Sequence, residues 1–285
     1  MKKLKITRIN KSLYNKDNKI FYNFAVYDNE NYFANNILTH NCYVGRFNND
    51  KVYVNENIDQ ILQSIDDWVN GKPWPKVPNQ TDDTYYTIDI GCSTDVALMH
   101  KHYDWARVFR FFQQDNMLKS TFATKYPTHF KPEWYHLTPE RNRIRVSLMP
   151  QVYSDVLEPN TDLICDRIDS IPRLQEYMEV HINFSPIIYT NGWLDEYRKL
   201  FGEIKNAGID IPCECIFLTY NETSHKNASD EVNALCWRPE IQEAKDSQYA
   251  PDNIRYQHKL KMQMVKDFVA LYSEFFDPKN IRYIF

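Results

Sequence analysis

The feature that most constrains the fold is an alternation of strand-like and helix-like patterns that begins near residue 50. Short apolar runs such as 84–90 and 143–148 predict buried strands, whereas apolar residues recur at three-and-four spacing between Ile58 and Val69 and predict a helix. Repeated strand–helix units predict an α/β protein with a parallel sheet, either doubly wound or an incomplete barrel. Active-site residues of such a protein are expected at the C-terminal ends of the strands.

The same patterns extend to the C-terminus. The remaining predicted strands are 52–54, 120–125, 178–188, 212–220 and 281–285, and the remaining predicted helices are 103–114, 193–208 and 257–276.

Residues 1–41 have a different character. They are rich in Asn, Lys and Tyr, and two alternating stretches at 19–27 and 31–40 surround the turn signal "DNEN", which predicts a small β-hairpin unit with no helix. Seven Lys and Arg residues oppose three acidic ones, so this segment is +4 and the remainder of the −4 chain is −8. We expect such a unit to need a partner to fold.

The whole chain is 285 residues long, enough for one large α/β domain with a small appendage. It has no run of eighteen apolar residues and no charged-then-apolar leader, which predicts a cytoplasmic protein that does not contact a membrane. Its net charge gives no general basic footprint for nucleic acid, although a local groove could be basic. Six cysteines in such a chain are expected to be reduced thiols, and four are interpreted as structural: Cys165, Cys213, Cys215 and Cys236.

The run "FAVYDNENYFANNILTHN" with the following Cys42 resembles the C-terminal end of an intein, and most of all the short fragment of a naturally split intein. The resemblance implies that His40 polarises the last peptide bond, that Asn41 cyclises to release the product, and that Cys42 accepts an acyl chain. Glu30 stands where the family often has His, which puts its role in doubt. The alternative is that "THNC" is an ordinary turn.

Residues 42–285 resemble the spore photoproduct lyase family of radical S-adenosylmethionine enzymes. The resemblance rests on runs in the expected order: "CYVGR", "DIGCSTDVALMH", "FATKY", "RIRVSL", "EPNTDLICDRI", "INFSPI", the tryptophan of "YTNGW", and "IRYQHKLK". These enzymes hold a [4Fe-4S] cluster through a CxxxCxxC run. Here only Cys42, followed by Tyr43, is present, as expected if an intein separates the second and third cluster cysteines.

The resemblance implies a role for each matching residue. Thr94, Lys125, Ser147 and Ser185 would contact S-adenosylmethionine. Cys92 would donate a hydrogen atom, Tyr43 could relay the radical, and Cys42 would bind the cluster. Arg255 and Tyr256 would bind the lesion, with Lys259 or Lys261 as a basic companion, although the family's glycines are missing from that segment.

The implied protein is a precursor with an intein fragment at 1–41 and a lyase domain at 42–285. The domain would be an incomplete (β/α)6-type barrel that lacks its first strand. A separate N-terminal polypeptide would supply that strand, two cluster cysteines and the larger intein half, and trans-splicing would give an enzyme that repairs a thymine dimer in damaged DNA. The isolated chain is expected to be inactive. Two alternatives remain open: another radical reaction on the same fold, or a non-enzymatic α/β protein.

Overall fold

The computed structural model describes residues 57–71, 81–91, 95–101, 103–245 and 253–285, and the backbone alone of 8–12 and 21–25. The predicted strand at 52–54 and the predicted turn and strand within 28–40 lie outside these residues. Among the described helices, none is long and apolar enough to cross a membrane.

A curled sheet of six parallel strands forms the centre of the main domain. Its strands are β3 (Tyr86–Asp89), β4 (Leu118–Thr124), β5 (Asn142–Leu148), β6 (Glu179–Ile187), β7 (Cys213–Phe217) and β11 (Ile281–Ile284). Their spatial order is β11-β7-β6-β5-β4-β3, and every neighbouring pair is parallel. The strands follow one another in space in the same order as in the chain, without a reversal. Of the two predicted architectures, the sheet is therefore the incomplete barrel and not the doubly wound sheet.

Helices fill most of the connections between these strands. They are α1 (Ile58–Asn70), α2 (Val96–Met99), α3 (Trp105–Phe112), α4 (Gln151–Leu157), α5 (Ile164–Gln175), α6 (Trp193–Asn206), α7 (Glu222–Asn227), α8 (Asp230–Cys236) and α9 (His258–Tyr272). The helices predicted from periodicity at 103–114, 193–208 and 257–276 are confirmed with slightly shorter bounds as α3, α6 and α9. The helix predicted between residues 58 and 69 is confirmed as α1. Helix α5 and the short helices α2, α4, α7 and α8 were not predicted.

The two faces of the sheet differ in character because successive side chains of a strand point to opposite sides. On the convex face the aromatic side chains pack against helices: the ring of Phe122 lies 6.1 Å from that of Phe109, and the ring of Phe184 lies 5.5 Å from that of Phe201 and 6.0 Å from that of Phe268. Cys213 and Cys215 are buried on the same face. The opposite, concave face is polar and contains the candidate site.

A second, antiparallel sheet is formed by β8 (Thr219–Asn221), β9 (Gln242–Ala244) and β10 (Asn253–Tyr256), in the order β8-β10-β9. The prediction of one strand over 212–220 is therefore wrong. The pairing changes at Leu218, whose amide donates to the carbonyl of Ile187 at 3.0 Å, so that 213–217 and 219–221 join different sheets.

The N-terminal segment contains an antiparallel pair of its own. Strand β1 (Arg8–Ser12) pairs with β2 (Phe21–Ala25), with Arg8 opposite Ala25 and Ser12 opposite Phe21. This pair is not the predicted one, which joined 19–27 to 31–40 and whose second strand lies outside the described residues.

Candidate active site

The described residues that the resemblance assigned to S-adenosylmethionine lie at neighbouring strand ends. Lys125 directly follows β4, Ser147 is the penultimate residue of β5, and Ser185 lies near the end of β6. Ser147 and Ser185 are buried. Since β4, β5 and β6 are adjacent and parallel, these three residues share one edge of the sheet, where the sequence predicted the chemistry.

Lys125 is held by a buried carboxylate. Its Nζ lies 2.7 Å from Oε1 of Glu158, which follows α4. The second oxygen of Glu158 accepts from Nη1 of Arg167 at 2.9 Å. Glu158 therefore bridges a cation at the strand end to a cation in α5.

Arg167 lies at the centre of this arrangement and is 0% exposed. Its Nη1 also donates to the carbonyl of Ser147 at 2.9 Å, and its Nε donates to the carbonyl of Asp162 at 2.8 Å. Its Nη2 donates to Oγ1 of Thr161 at 2.6 Å. One guanidinium thus fixes the end of β5 and the loop before α5. Sequence reasoning noted the run "EPNTDLICDRI" that contains Glu158 and Arg167, but gave neither a role.

Asp95 connects the loop before α2 to the end of β4. Its Oδ1 accepts from Oγ1 of Thr124 at 2.7 Å and from the amide of Ala97 at 3.0 Å, and its Oδ2 accepts from the amide of Lys125 at 2.8 Å. Burial raises the pKa of Asp95, although these hydrogen bonds oppose the shift. The predicted residues Cys92 and Thr94 of this loop lie outside the described residues.

A network of polar and charged side chains forms the floor of the concave face. His181 contacts two carboxylates, with Nε2 2.6 Å from Oε1 of Glu179 and Nδ1 3.4 Å from Oε1 of Glu214. Arg143 lies 3.1 Å from Glu179, and the hydroxyl of Tyr283 donates to Glu214 at 2.7 Å. The other members are Asp82, Asp89, Lys119 and Arg145.

The carboxylates of this floor are stabilised in their charged form. Burial alone would raise the pKa of Glu214, but hydrogen bonding to His181, the charge of Arg145 and the Tyr283 hydroxyl lower it to about 2. The pKa of Glu179 is lowered too, against the effect of burial, by His181, Arg143 and Lys119. Carboxylates that are paired and ionised in this way are poor proton donors at neutral pH, so we assign the floor to holding strands together.

The two residues assigned to the lesion lie on β10. Tyr256 is buried, and its hydroxyl accepts from the amide of Tyr189 at 2.8 Å. Burial raises the pKa of this phenol. Arg255 is half-exposed and its Nε lies 3.3 Å from Oε1 of Glu243.

Two lysines accompany Arg255. Burial lowers the pKa of Lys245 and of Lys261, and the positive charge of Arg255 lowers each further. Lys261 was predicted as a basic companion, whereas Lys245 was not, because it precedes β10 by several residues in sequence. These three cations form the basic cluster, which is suited to an anion such as a phosphate.

Residues assigned to splicing and to the cluster lie outside the described residues: His40, Asn41, Cys42 and Tyr43. Within the described part of the chain, no three His, Cys, Asp or Glu side chains are placed to hold a metal ion. Cys213, Cys215 and Cys236 are buried, whereas Cys165 is exposed on α5. At the strand ends, the described residues thus present two hydroxyl groups and one ammonium group.

Comparisons with known proteins agree with this geometry. A protein-family model described as spore photoproduct lyase matches residues 33–284. Comparison with curated proteins found no match.

Solved structures of spore photoproduct lyase resemble the chain in fold. One, complexed with dinucleoside spore photoproduct, has a TM-score of 0.69 at 17% sequence identity, and the match covers 86% of this chain and 72% of that one. A double mutant with bound AdoMet and dinucleoside spore photoproduct gives a TM-score of 0.68 at 16% identity, with the same coverage. At such identities the likeness establishes a shared curled parallel half-barrel.

Proposed function

Because this chain belongs to the spore photoproduct lyase family, we propose that residues 42–285 form most of a radical S-adenosylmethionine lyase that repairs a thymine dimer photoproduct in DNA. The observation that carries the proposal is the convergence of Lys125, Ser147 and Ser185 at one edge of three adjacent strands. Each of these residues matches a family run, and the sheet brings together segments that are far apart in sequence.

Thr94, Lys125, Ser147 and Ser185 would hold S-adenosylmethionine, and Cys42 would bind one iron of a [4Fe-4S] cluster. When bound, the cluster and S-adenosylmethionine supply a carbon radical that abstracts a hydrogen atom. The remaining cluster thiolates must come from elsewhere, since three are needed and the chain has no CxxxCxxC run.

Other residues of the chain orient these groups and the substrate. Glu158 and Arg167 keep the Lys125 ammonium at the strand end, and Asp95 joins the start of α2 to the end of β4. Cys92 would give a hydrogen atom to the product radical that remains after the crosslink breaks, and Tyr43 would relay the resulting thiyl radical back. Arg255 and Tyr256 would contact the lesion, and the basic cluster would contact the DNA backbone.

We further propose that residues 1–41 are the C-terminal fragment of a split intein, with residues 42–285 as the flanking protein. The His40-Asn41-Cys42 sequence and the β1–β2 hairpin support this division. The family match begins at residue 33, so residues 33–41 lie both in that match and in the proposed intein fragment. Splicing itself is therefore the deciding observation.

The test is to mix the chain with its N-terminal partner and follow the products by mass spectrometry. We expect residues 1–41 to leave and the remainder to be joined through Cys42. Asn41→Ala should stop at a branched intermediate, and Cys42→Ala should give no ligated product. Ligation by both variants would contradict the intein assignment.

Repair is tested separately on the joined product after cluster reconstitution. A dinucleotide thymine photoproduct should be converted to thymines in the presence of S-adenosylmethionine and a reductant. Cleavage of S-adenosylmethionine without repair of this substrate would favour another radical reaction on the same fold. Failure to bind iron or S-adenosylmethionine would contradict the radical mechanism.

A further inference from the structure

Asn183 lies on the concave face between the two serines of the candidate site. Ser147 is its register partner on β5, and Ser185 follows two residues later on the same side of β6. The intervening Phe184 packs against convex-face helices, which fixes the direction of its neighbours. Neither the family runs nor the predicted roles gave Asn183 a function.

The side-chain oxygen of Asn183 is buried and has no partner among the described residues. The residue is 2% exposed, and its Oδ1 accepts no hydrogen bond from any described residue. An amide oxygen buried in this way destabilises a fold unless a bound molecule supplies the missing donor.

Asn142 provides a comparison on the neighbouring strand. It is equally buried, but it lies on the convex face, where its Oδ1 accepts from Oγ of Ser120 at 2.9 Å and its Nδ2 donates to the carbonyl of Thr138 at 3.2 Å. Of these two buried asparagines on neighbouring strands, only Asn183 on the concave face has an amide oxygen without a described partner.

Partly exposed positions flank Asn183 on the same side of the sheet. Ala123 on β4 is level with Arg145 and His181, and Ile216 on β7 lies two residues beyond Glu214. Among the described residues, the concave face is therefore accessible on strands on both sides of β6.

The chemistry of the surroundings favours a neutral, planar ligand. Glu214 is the register partner of Asn183 on β7, and it already contacts Arg145 and His181, so no unpaired positive charge among the described residues at this level favours a phosphate or carboxylate. A carboxamide presents one acceptor and one donor side by side, which matches a nucleobase edge that carries an adjacent donor and acceptor.

We propose that Asn183 contacts a nucleobase in the concave site, with its unpartnered Oδ1 accepting a hydrogen bond from the base. The inference rests on the proposed function, which supplies two nucleobase sources: the adenine of S-adenosylmethionine and a pyrimidine of the photoproduct. Both present such an edge.

The test compares Asn183→Leu and Asn183→Ala with the control Asn142→Leu. Affinities for S-adenosylmethionine and for a dinucleotide thymine photoproduct are measured by calorimetry on the joined, cluster-loaded protein. The midpoint of thermal unfolding is measured without ligand. We expect both Asn183 variants to bind at least one probe about tenfold more weakly, the scale of one lost hydrogen bond, while Asn183→Leu unfolds at the same or a higher temperature. Asn142→Leu should unfold at a lower temperature with unchanged affinities.

Weakened binding of S-adenosylmethionine identifies adenine as the partner, and weakened binding of the photoproduct identifies the pyrimidine. Unchanged affinity for both probes overturns the inference. A weaker complex with a lowered midpoint in both Asn183 variants also overturns it, since Asn183 would then be a packing residue. Absence of binding by the unsubstituted protein would instead contradict the proposed function.

Discussion

Replacement of Arg167 by Met removes the guanidinium that fixes the candidate site while it keeps most of the side-chain volume. The carbonyls of Ser147 and Asp162 lose a donor, and Glu158 loses one of its two cations. All of this occurs at a position with no exposure to solvent, so water cannot replace the lost bonds.

The expected loss of unfolding free energy follows from this geometry. Breaking a buried ion pair by removing one partner costs about 3–5 kcal/mol. Glu158 keeps the ammonium of Lys125, and Lys125 is itself slightly exposed, which places the expected loss near the lower end, about 3 kcal/mol. A domain with an unfolding free energy of about 5–15 kcal/mol would remain folded.

Guanidinium unfolding followed by circular dichroism measures the effect. Arg198→Met is the matched control, because Arg198 pairs with Glu274 on an exposed surface, and its midpoint should be unchanged. In the double variant Arg167→Met with Glu158→Leu, the loss should be smaller than the sum of the two single losses, because no unpaired carboxylate remains. A loss below about 1 kcal/mol for Arg167→Met, or strict additivity in the double variant, would refute the reasoning.

Three further outcomes are expected. Because the pKa of Glu214 is lowered, its carboxylate stabilises the fold above its ordinary pKa, and this stabilisation is lost as pH falls towards about 2. Glu214→Gln should therefore lower the free energy of unfolding in urea at pH 7 and weaken the dependence of that free energy on pH in the acid range. Parallel plots of unfolding free energy against pH for the two proteins would contradict this. If each lysine contacts one phosphate, Lys245→Ala and Lys261→Ala should each weaken binding to duplex DNA and reduce the slope of log affinity against log salt concentration by about 0.9. An unchanged slope would show that the substituted lysine does not contact a DNA phosphate. Cys92→Ala should retain its cluster and S-adenosylmethionine cleavage but yield fewer repaired thymines and more side products, as analysed by chromatography; loss of the cluster would make Cys92 a ligand instead.

The sequence by itself determined the parallel α/β architecture and the edge of the sheet where the candidate site lies. Strand and helix periodicities are local properties, and polar residues at strand ends can be identified from those periodicities alone. The resemblance to a known family identified Lys125, Ser147 and Ser185, and the predicted strand ends agreed with their location. The alternation within 213–217 placed Cys213 and Cys215 on one face.

Only the tertiary structure decided which polar groups meet and which stay without a partner. The bridge from Lys125 through Glu158 to Arg167 joins a strand end, a loop and a helix, and Glu214 reaches Arg145 and His181 across neighbouring strands. Such pairings depend on strand order and register, which no local pattern encodes. The unpaired amide of Asn183 is of the same kind, because burial and the lack of a donor are set by all the chain segments that surround a residue.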